Sequence, residues 1–261
     1  MLLFLLFLGV FCVSAWKLIG IYRTYEKGDS IYGKITDMVV KTETDTYQPQ
    51  ITDDPKDVEE KEKTKKDKMI SVDFKTLKAK NEDIIGWLYI PDSAISYPLL
   101  QSEDNNKYLH ETYDKQSSIF GSIFMDYRNH SDFTDKHTII YGHNMKNGSM
   151  FGTLKRYSDT NFFKEHRNIY ILTEKGTFRY RVFSYHVADA SGRVYTTSFS
   201  DNNAYKEFLN LITGSSYVKT KLKATAKDRT ITLSTCTGQE ESRFVVHAKY
   251  MGKMVEKDKQ K

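Results

Sequence analysis

The chain has 261 residues, with 39 Lys and Arg against 34 Asp and Glu and a formal net charge of +5. A length of this order suits one ordinary domain with appendages, and the Lys runs sit mostly in one linker, so nucleic acid is not a partner the charge argues for. The two cysteines, Cys12 and Cys236, exclude a disulfide scaffold and an all-cysteine metal site, and no cofactor or metal is expected.

The N-terminal stretch MLLFLLFLGVFCVSAWKLIGIY carries no charge up to Trp16 and resumes apolar character after Lys17. Its length is near the roughly 20 residues that span a bilayer, and Trp16, Lys17 and Tyr22 suit an interfacial belt. A cleaved signal peptide is the rival, because Val13–Ala15 resembles a small-residue cleavage site. No Lys or Arg precedes the run, whereas Lys17, Arg23 and Lys27 follow it. That distribution alone would hold the bulk of the chain inside. Residues 23–47 read as mixed polar with few apolar periods. The charge run Asp53–Lys68 reads as an exposed helix with Glu–Lys pairs or a solvated tether. The expected organisation is a membrane anchor or signal segment at 1–22, a polar, charged tether or helical linker at 23–71, a compact domain at 72–252 and a charged tail at 253–261.

The compact domain starts near Val72. VDFKTLKAKN predicts a short helix ending at Asn81. Strands are predicted at Ile84–Ile90 and Ile95–Gln101 around the turn PDSA, then at Gly121–Asp126 and His137–His143. NNKYLHETY reads as one helical turn. Gly148–Tyr157 reads as a short helix, with Met150, Phe151 and Leu154 in helical spacing. Two strands follow around Glu174–Lys175–Gly176. Asp201–Ile212 is an amphipathic helix that Asp201 or Asn202 can cap and Gly214 can end. TITLSTCTGQEESRFVVHAKY supplies the last two strands. Many short strands with turn signals predict a mainly β barrel or sandwich decorated by helices.

Cys236 closes the strand Thr230–Cys236 and precedes Thr237-Gly238, so its sulfur is expected at the barrel rim. The alternative is a small buried hydrophobe, the commonest role of a lone cysteine. His143 also ends a strand, after Gly142. Arg243 begins the strand antiparallel to the one ending on Cys236, which can bring it beside the thiol. A reactive cysteine needs a proton carrier and a group that holds developing charge. Arginine cannot deprotonate in this range, so His143 is the candidate carrier of the three. His186 and His247 sit within apolar alternation and read as strand-face residues.

TLSTC at a strand end, an Arg opening the next strand and an upstream YGHN resemble the sortases, cysteine transpeptidases of Gram-positive bacteria. DIIGWLYIPDSAISYPLLQ, GSIFMDYRN, TIIYGHNM with MFGTL, AYKEFL and KDRTITLSTC occur in that order and resemble class B, over about residues 72–250. The resemblance implies an eight-stranded sortase-type β-barrel with N-terminal helices and a helix before the penultimate strand. It implies that Cys236 cleaves a C-terminal sorting signal of the NPQTN type after Thr through a thioacyl enzyme. An amine from a peptidoglycan precursor, or another cell-wall or pilin amine, would then resolve the intermediate. His143 would act as acid and base, and Arg243 would hold the oxyanion or substrate carbonyl. Leu100, Tyr141, Tyr195 and Ser234 would line the peptide groove. The implied partners are surface proteins bearing a sorting signal, the amine acceptor and the membrane, with the catalytic domain outside the cell on a single-pass N-terminal anchor. The loop TGQEES is short for this class. The rival class is a non-enzymatic, membrane-anchored surface module that binds a cell-wall peptide. A papain-like hydrolase is set aside, because there the cysteine opens a helix and precedes its histidine.

Overall fold

The computed structural model describes residues 2–42 and 67–254. The chain divides into two units, Met1–Met38 and Val39–Lys261. Except for Asp67 and Lys68, the charge run Asp53–Lys68 lies outside the described residues, as does most of the 253–261 tail.

Helix α1 spans Leu2–Val39 and is long and apolar enough to cross a membrane. Phe4, Phe7, Phe11, Trp16 and Leu18 leave 64–75% of their surface exposed. The helix continues well beyond Tyr22, into residues read as mixed polar with few apolar periods. The overlooked signal is that Tyr25, Gly28, Tyr32, Ile35 and Val39 recur three or four residues apart and are the less exposed positions there. Interleaved Lys27, Asp29, Lys34 and Asp37 hide that stripe in the composition.

Strands β1 (Val40–Thr42) and β2 (Ile70–Val72) pair antiparallel. Helix α2 (Phe74–Lys80) starts where the Asp73 carboxylate accepts from the Thr76 backbone N–H and stops at Asn81. The barrel strands are β3 (Ile84–Tyr89), β4 (Ser96–Leu100), β5 (Ile123–Met125), β6 (His137–Tyr141), β7 (Asn168–Thr173), β8 (Gly176–Asp189), β9 (Thr230–Cys236) and β10 (Ser242–Met254). They close in the order β10-β8-β7-β3-β4-β5-β6-β9. Closure leaves none of the eight with an open edge. The β4–β5 and β6–β9 pairs are parallel and the others antiparallel. Met125, Ile140, Leu233 and Val246 are register partners in one lateral row, and all are fully buried.

Helix α3 (Lys107–His110) follows β4. The segment after β6 does not form the helix expected over Gly148–Tyr157. Met150 and Gly148 take positive φ angles of 53° and 84°, which a right-handed helix cannot contain. A 3-10 turn at Leu154–Ser158 follows, and then α4 (Thr160–Glu165), which Asp159 caps by accepting from Phe162 N–H. Helix α5 (Asn202–Gly214) is capped by Asp201, whose carboxylate accepts from the N–H groups of Asn203 and Ala204. Its Tyr205, Phe208, Leu209 and Ile212 pack on Phe183, Ala188 and Val245 of the barrel wall and on Val194. Because α5 packs against the face that Val245 presents, that face is the outside of the barrel.

Under α5 lies a buried polar row. His137 Nε2 meets Thr232 Oγ1 at 2.6 Å, and the same hydroxyl meets His247 Nδ1 at 2.7 Å. The His247 ring stacks on His186 at 5.1 Å. His137, His186 and His247 are 0%, 3% and 0% exposed. Burial pushes His137 and His186 down to about 4 and His247 well below its ordinary value. The neutral rings therefore stabilise the fold fully above pH 6.5, and the contribution is lost as pH falls from 6.5 towards 4. The thermal midpoint should be flat from pH 8 to 7 and fall steadily below 6.5. His137 alone accounts for roughly 3 kcal/mol at the acid end. Calorimetry across pH checks this; His186→Gln should reduce the acid slope, and an unchanged slope would remove the histidines as its cause.

Candidate active site

Two strand pairings assemble the rim. In the β9–β10 hairpin, Cys236 is the direct antiparallel partner of Arg243, and Arg243 is also paired with Ala188 of β8. In the parallel β6–β9 pair, Tyr141 is level with Ser234. The alignment persists past the strand: Gly142 N–H donates to the Ser234 carbonyl at 3.2 Å, and Thr235 Oγ1 donates to the Gly142 carbonyl at 2.7 Å. One step further brings His143 level with Cys236. The Asn144 side-chain amide then donates to the Cys236 carbonyl at 2.7 Å. The chain can pass here only because residue 142 is glycine. A Cβ would run into the Ile123 side chain and come within 2.8 Å of the Phe151 ring.

Cys236, His143 and Arg243 are all partly exposed. His143 Nε2 meets the Leu109 carbonyl at 2.7 Å. A carbonyl only accepts, so Nε2 carries the hydrogen and Nδ1 is the ring nitrogen left for proton exchange. Arg243 donates from one terminal nitrogen to the carbonyls of Glu240 and Ser242, at 2.8 and 2.9 Å. Those contacts hold the guanidinium against the hairpin loop, where Gly238 takes a φ of 101°.

The groove candidates divide. Leu100, Phe124, Tyr141 and Ser234 are successive register partners across β4, β5, β6 and β9. Tyr141 is partly exposed and Ser234 is 2% exposed. Tyr195 ends a 3-10 turn at Arg193–Tyr195, stacks on Tyr141 at 6.2 Å and 20°, and meets Ser234 Oγ through its hydroxyl at 2.9 Å. Burial pushes the Tyr195 phenol up; Ser234 and Arg243 act against that rise and Cys236 adds to it, which puts Tyr195 within electrostatic reach of thiol and guanidinium. Leu100 shares the row but is 0% exposed, so its side chain offers a peptide no surface in this structure. Its neighbour Phe124, whose ring lies 5.3 Å from that of Tyr141, was not among the expected residues, and neither was Asn144.

Cys236 and Arg243 are thus paired across the last hairpin of a closed β-barrel, and His143 follows the strand that runs parallel to the one ending on Cys236. Residues 88–251 match the Sortase family, described as the sortase domain. The chain is 36% identical to sortase B of Listeria monocytogenes over 95% of both chains. It is 32% identical to sortase B of Staphylococcus aureus, covering 67% of this chain and 73% of that one. The fold aligns with the crystal structure of sortase B from B. anthracis at a TM-score of 0.70 and 33% identity, over 89% of this chain and all of that one. A Staphylococcus aureus sortase B–substrate complex aligns at 0.66 and 32%, covering 70% and 85%. The chain belongs to the sortase family, in class B, and is a cysteine transpeptidase.

The Asn144 side chain ties the segment after β6 to the Cys236 backbone. Asn144→Ala should lower kcat about tenfold at nearly constant KM and cost ~1 kcal/mol of stability. Steady-state kinetics with a sorting peptide and thermal unfolding check both.

Proposed function

We propose that Cys236 cleaves a C-terminal sorting signal of the NPQTN type after its Thr and passes the protein to a cell-wall or pilin amine. The Cys236 thiolate attacks the Thr carbonyl, and a C–S bond forms. His143 protonates the leaving amine as the Thr–X bond breaks. The incoming amine then attacks the thioester, His143 takes its proton, and the C–S bond breaks. Arg243 donates to the oxyanion or to the substrate carbonyl in both steps. A guanidinium has five N–H donors, so its contacts with Glu240 and Ser242 leave others for substrate. Tyr141, Tyr195 and Ser234 line the peptide groove, with Leu100 behind them in the same row.

The observation that supports this reading is the double register, Tyr141 with Ser234 and Cys236 with Arg243, which pairs the thiol's residue with the arginine and runs β6 alongside it towards His143. On the same reading α1 is an uncleaved anchor, and the catalytic domain works on the outer membrane face. The exposed apolar surface of Phe4–Leu18 supports the anchor.

Cys236→Ala should abolish both cleavage and transfer. Arg243→Ala should lower kcat by about 10²–10³, in the range for losing one oxyanion donor, with Arg243→Lys recovering part of it. Peptide cleavage assays with and without a glycyl amine, read by mass spectrometry, give the outcome. Full activity in Cys236→Ala would end the proposal. Release of the acid product alone, at saturating amine, would make the enzyme a hydrolase.

A further inference from the structure

Asp126 follows β5 and its side chain is fully buried. Burying a carboxylate is costly unless donors replace water, and here five do. Oδ1 accepts from Arg128 N–H at 3.0 Å and Arg128 Nε at 2.8 Å. Oδ2 accepts from an Arg128 terminal nitrogen at 2.8 Å, the Tyr141 hydroxyl at 2.8 Å and the Asn105 amide at 3.0 Å. Burial alone would raise this carboxyl, but Arg128, Tyr141 and Asn105 together hold it below the usual carboxylate range, so it is charged at neutral pH. Burial and the Asp126 charge push the Tyr141 phenol far up, so that hydroxyl stays protonated and donates.

Both aromatic rings beside the thiol hang on this one carboxylate. Tyr141 is bound to it directly. Tyr195 is bound through Arg128, whose terminal nitrogen also donates to the Tyr195 carbonyl at 3.2 Å. The two rings stack, and the Tyr195 hydroxyl reaches Ser234, two positions before Cys236 in the strand. No contact runs from Asp126 or Arg128 to the thiol itself among the described hydrogen bonds.

We propose that Asp126 and Arg128 form a positioning pair that sets the Tyr141–Tyr195 stack and thereby governs capture of the sorting peptide, not the chemistry at Cys236. This rests on the peptide-groove reading above. The pair keeps the 3-10 turn Arg193–Tyr195 drawn against β6. Without the charge, what ties the Tyr195 end of the turn to the wall is the ring stack, the Ser234 hydroxyl, the Val194 anchor and the 2.7 Å contact of His137 Nδ1 with the Thr196 carbonyl.

The test is kinetic, on the full chain in detergent, with a fluorogenic Asn-Pro-Gln-Thr-Asn peptide and saturating glycyl amine. Asp126→Asn, Arg128→Gln and Tyr141→Phe should each raise KM about tenfold, the equivalent of ~1.4 kcal/mol, with kcat within about twofold. The Asp126→Asn/Arg128→Gln double variant should be no worse than Asp126→Asn alone, because both cut one linkage. Mixed-disulfide formation at Cys236 by a methanethiosulfonate, with release of methanesulfinate, should keep its rate. Arg128 is 41% exposed and Tyr141→Phe keeps the ring, so these two decide the matter if Asp126→Asn does not fold. Tyr195→Ala separates the two levels of the argument. If it raises KM while the other variants leave KM unchanged, the pair has no positioning role and the groove reading stands. If Tyr195→Ala also leaves KM unchanged, both are overturned. A fall in kcat at constant KM would place the pair in the chemistry and overturn the inference.

Discussion

The parallel pairing of β6 with β9 is the constraint on which the site depends. Two parallel strands cannot be joined by a tight turn. Everything between Gly142 and Arg229 is therefore a crossover, and it contains β7, β8, α4 and α5. The pairing fixes the level of His143 against Cys236, and β10 then has one register in which Arg243 falls beside the thiol. A shift of one residue in either pair would turn the affected side chains to the opposite face. On the proposed reading, the barrel's hydrogen-bond ladder, not a special loop, is what sets the three groups near one another.

Two kinds of burial support the wall beside the thiol. On one side α5 covers Val245, Ala188 and Val194 with apolar side chains and closes over a row of neutral histidines. Val194 is the residue before Tyr195, so the same apolar cluster anchors the 3-10 turn. On the other side Asp126 is buried as an ion, with its five donors drawn from three separate residues, Asn105, Arg128 and Tyr141. Apolar burial tolerates small rearrangements, whereas a buried ion with five donors has directional demands. The wall thus combines a forgiving support with an exacting one.

The strands of the barrel were legible because alternation and turn residues mark them locally. The Cys236–Arg243 pairing was legible because the loop between them is short. His143 was legible as a strand-end histidine, though its choice among seven histidines leaned on the family resemblance. The continuation of α1 was obscured by charges set between its periodic positions. The failed helix at Gly148–Tyr157 had correct apolar spacing, and nothing in the residue Met150 announces a positive φ. Asp126 was passed over for a different reason. Its partners Asn105 and Tyr141 lie far from it in the chain, and no periodicity reports which distant donor will meet a carboxylate. Alternation put Leu100 on the right face of its strand, but a strand pattern does not say what covers that face.

The position of the nucleophile on the last hairpin also has a consequence for the order of assembly. Cys236 acquires its level with His143 only when β9 docks on β6, and Arg243 only when β10 follows. These are long-range pairings, which form late and slowly compared with local turns. A chain shortened within β10, or halted before it, would carry the thiol and the imidazole without the completed rim. The thiol's partners are thus coupled to barrel closure, and reactivity becomes a property of the finished fold.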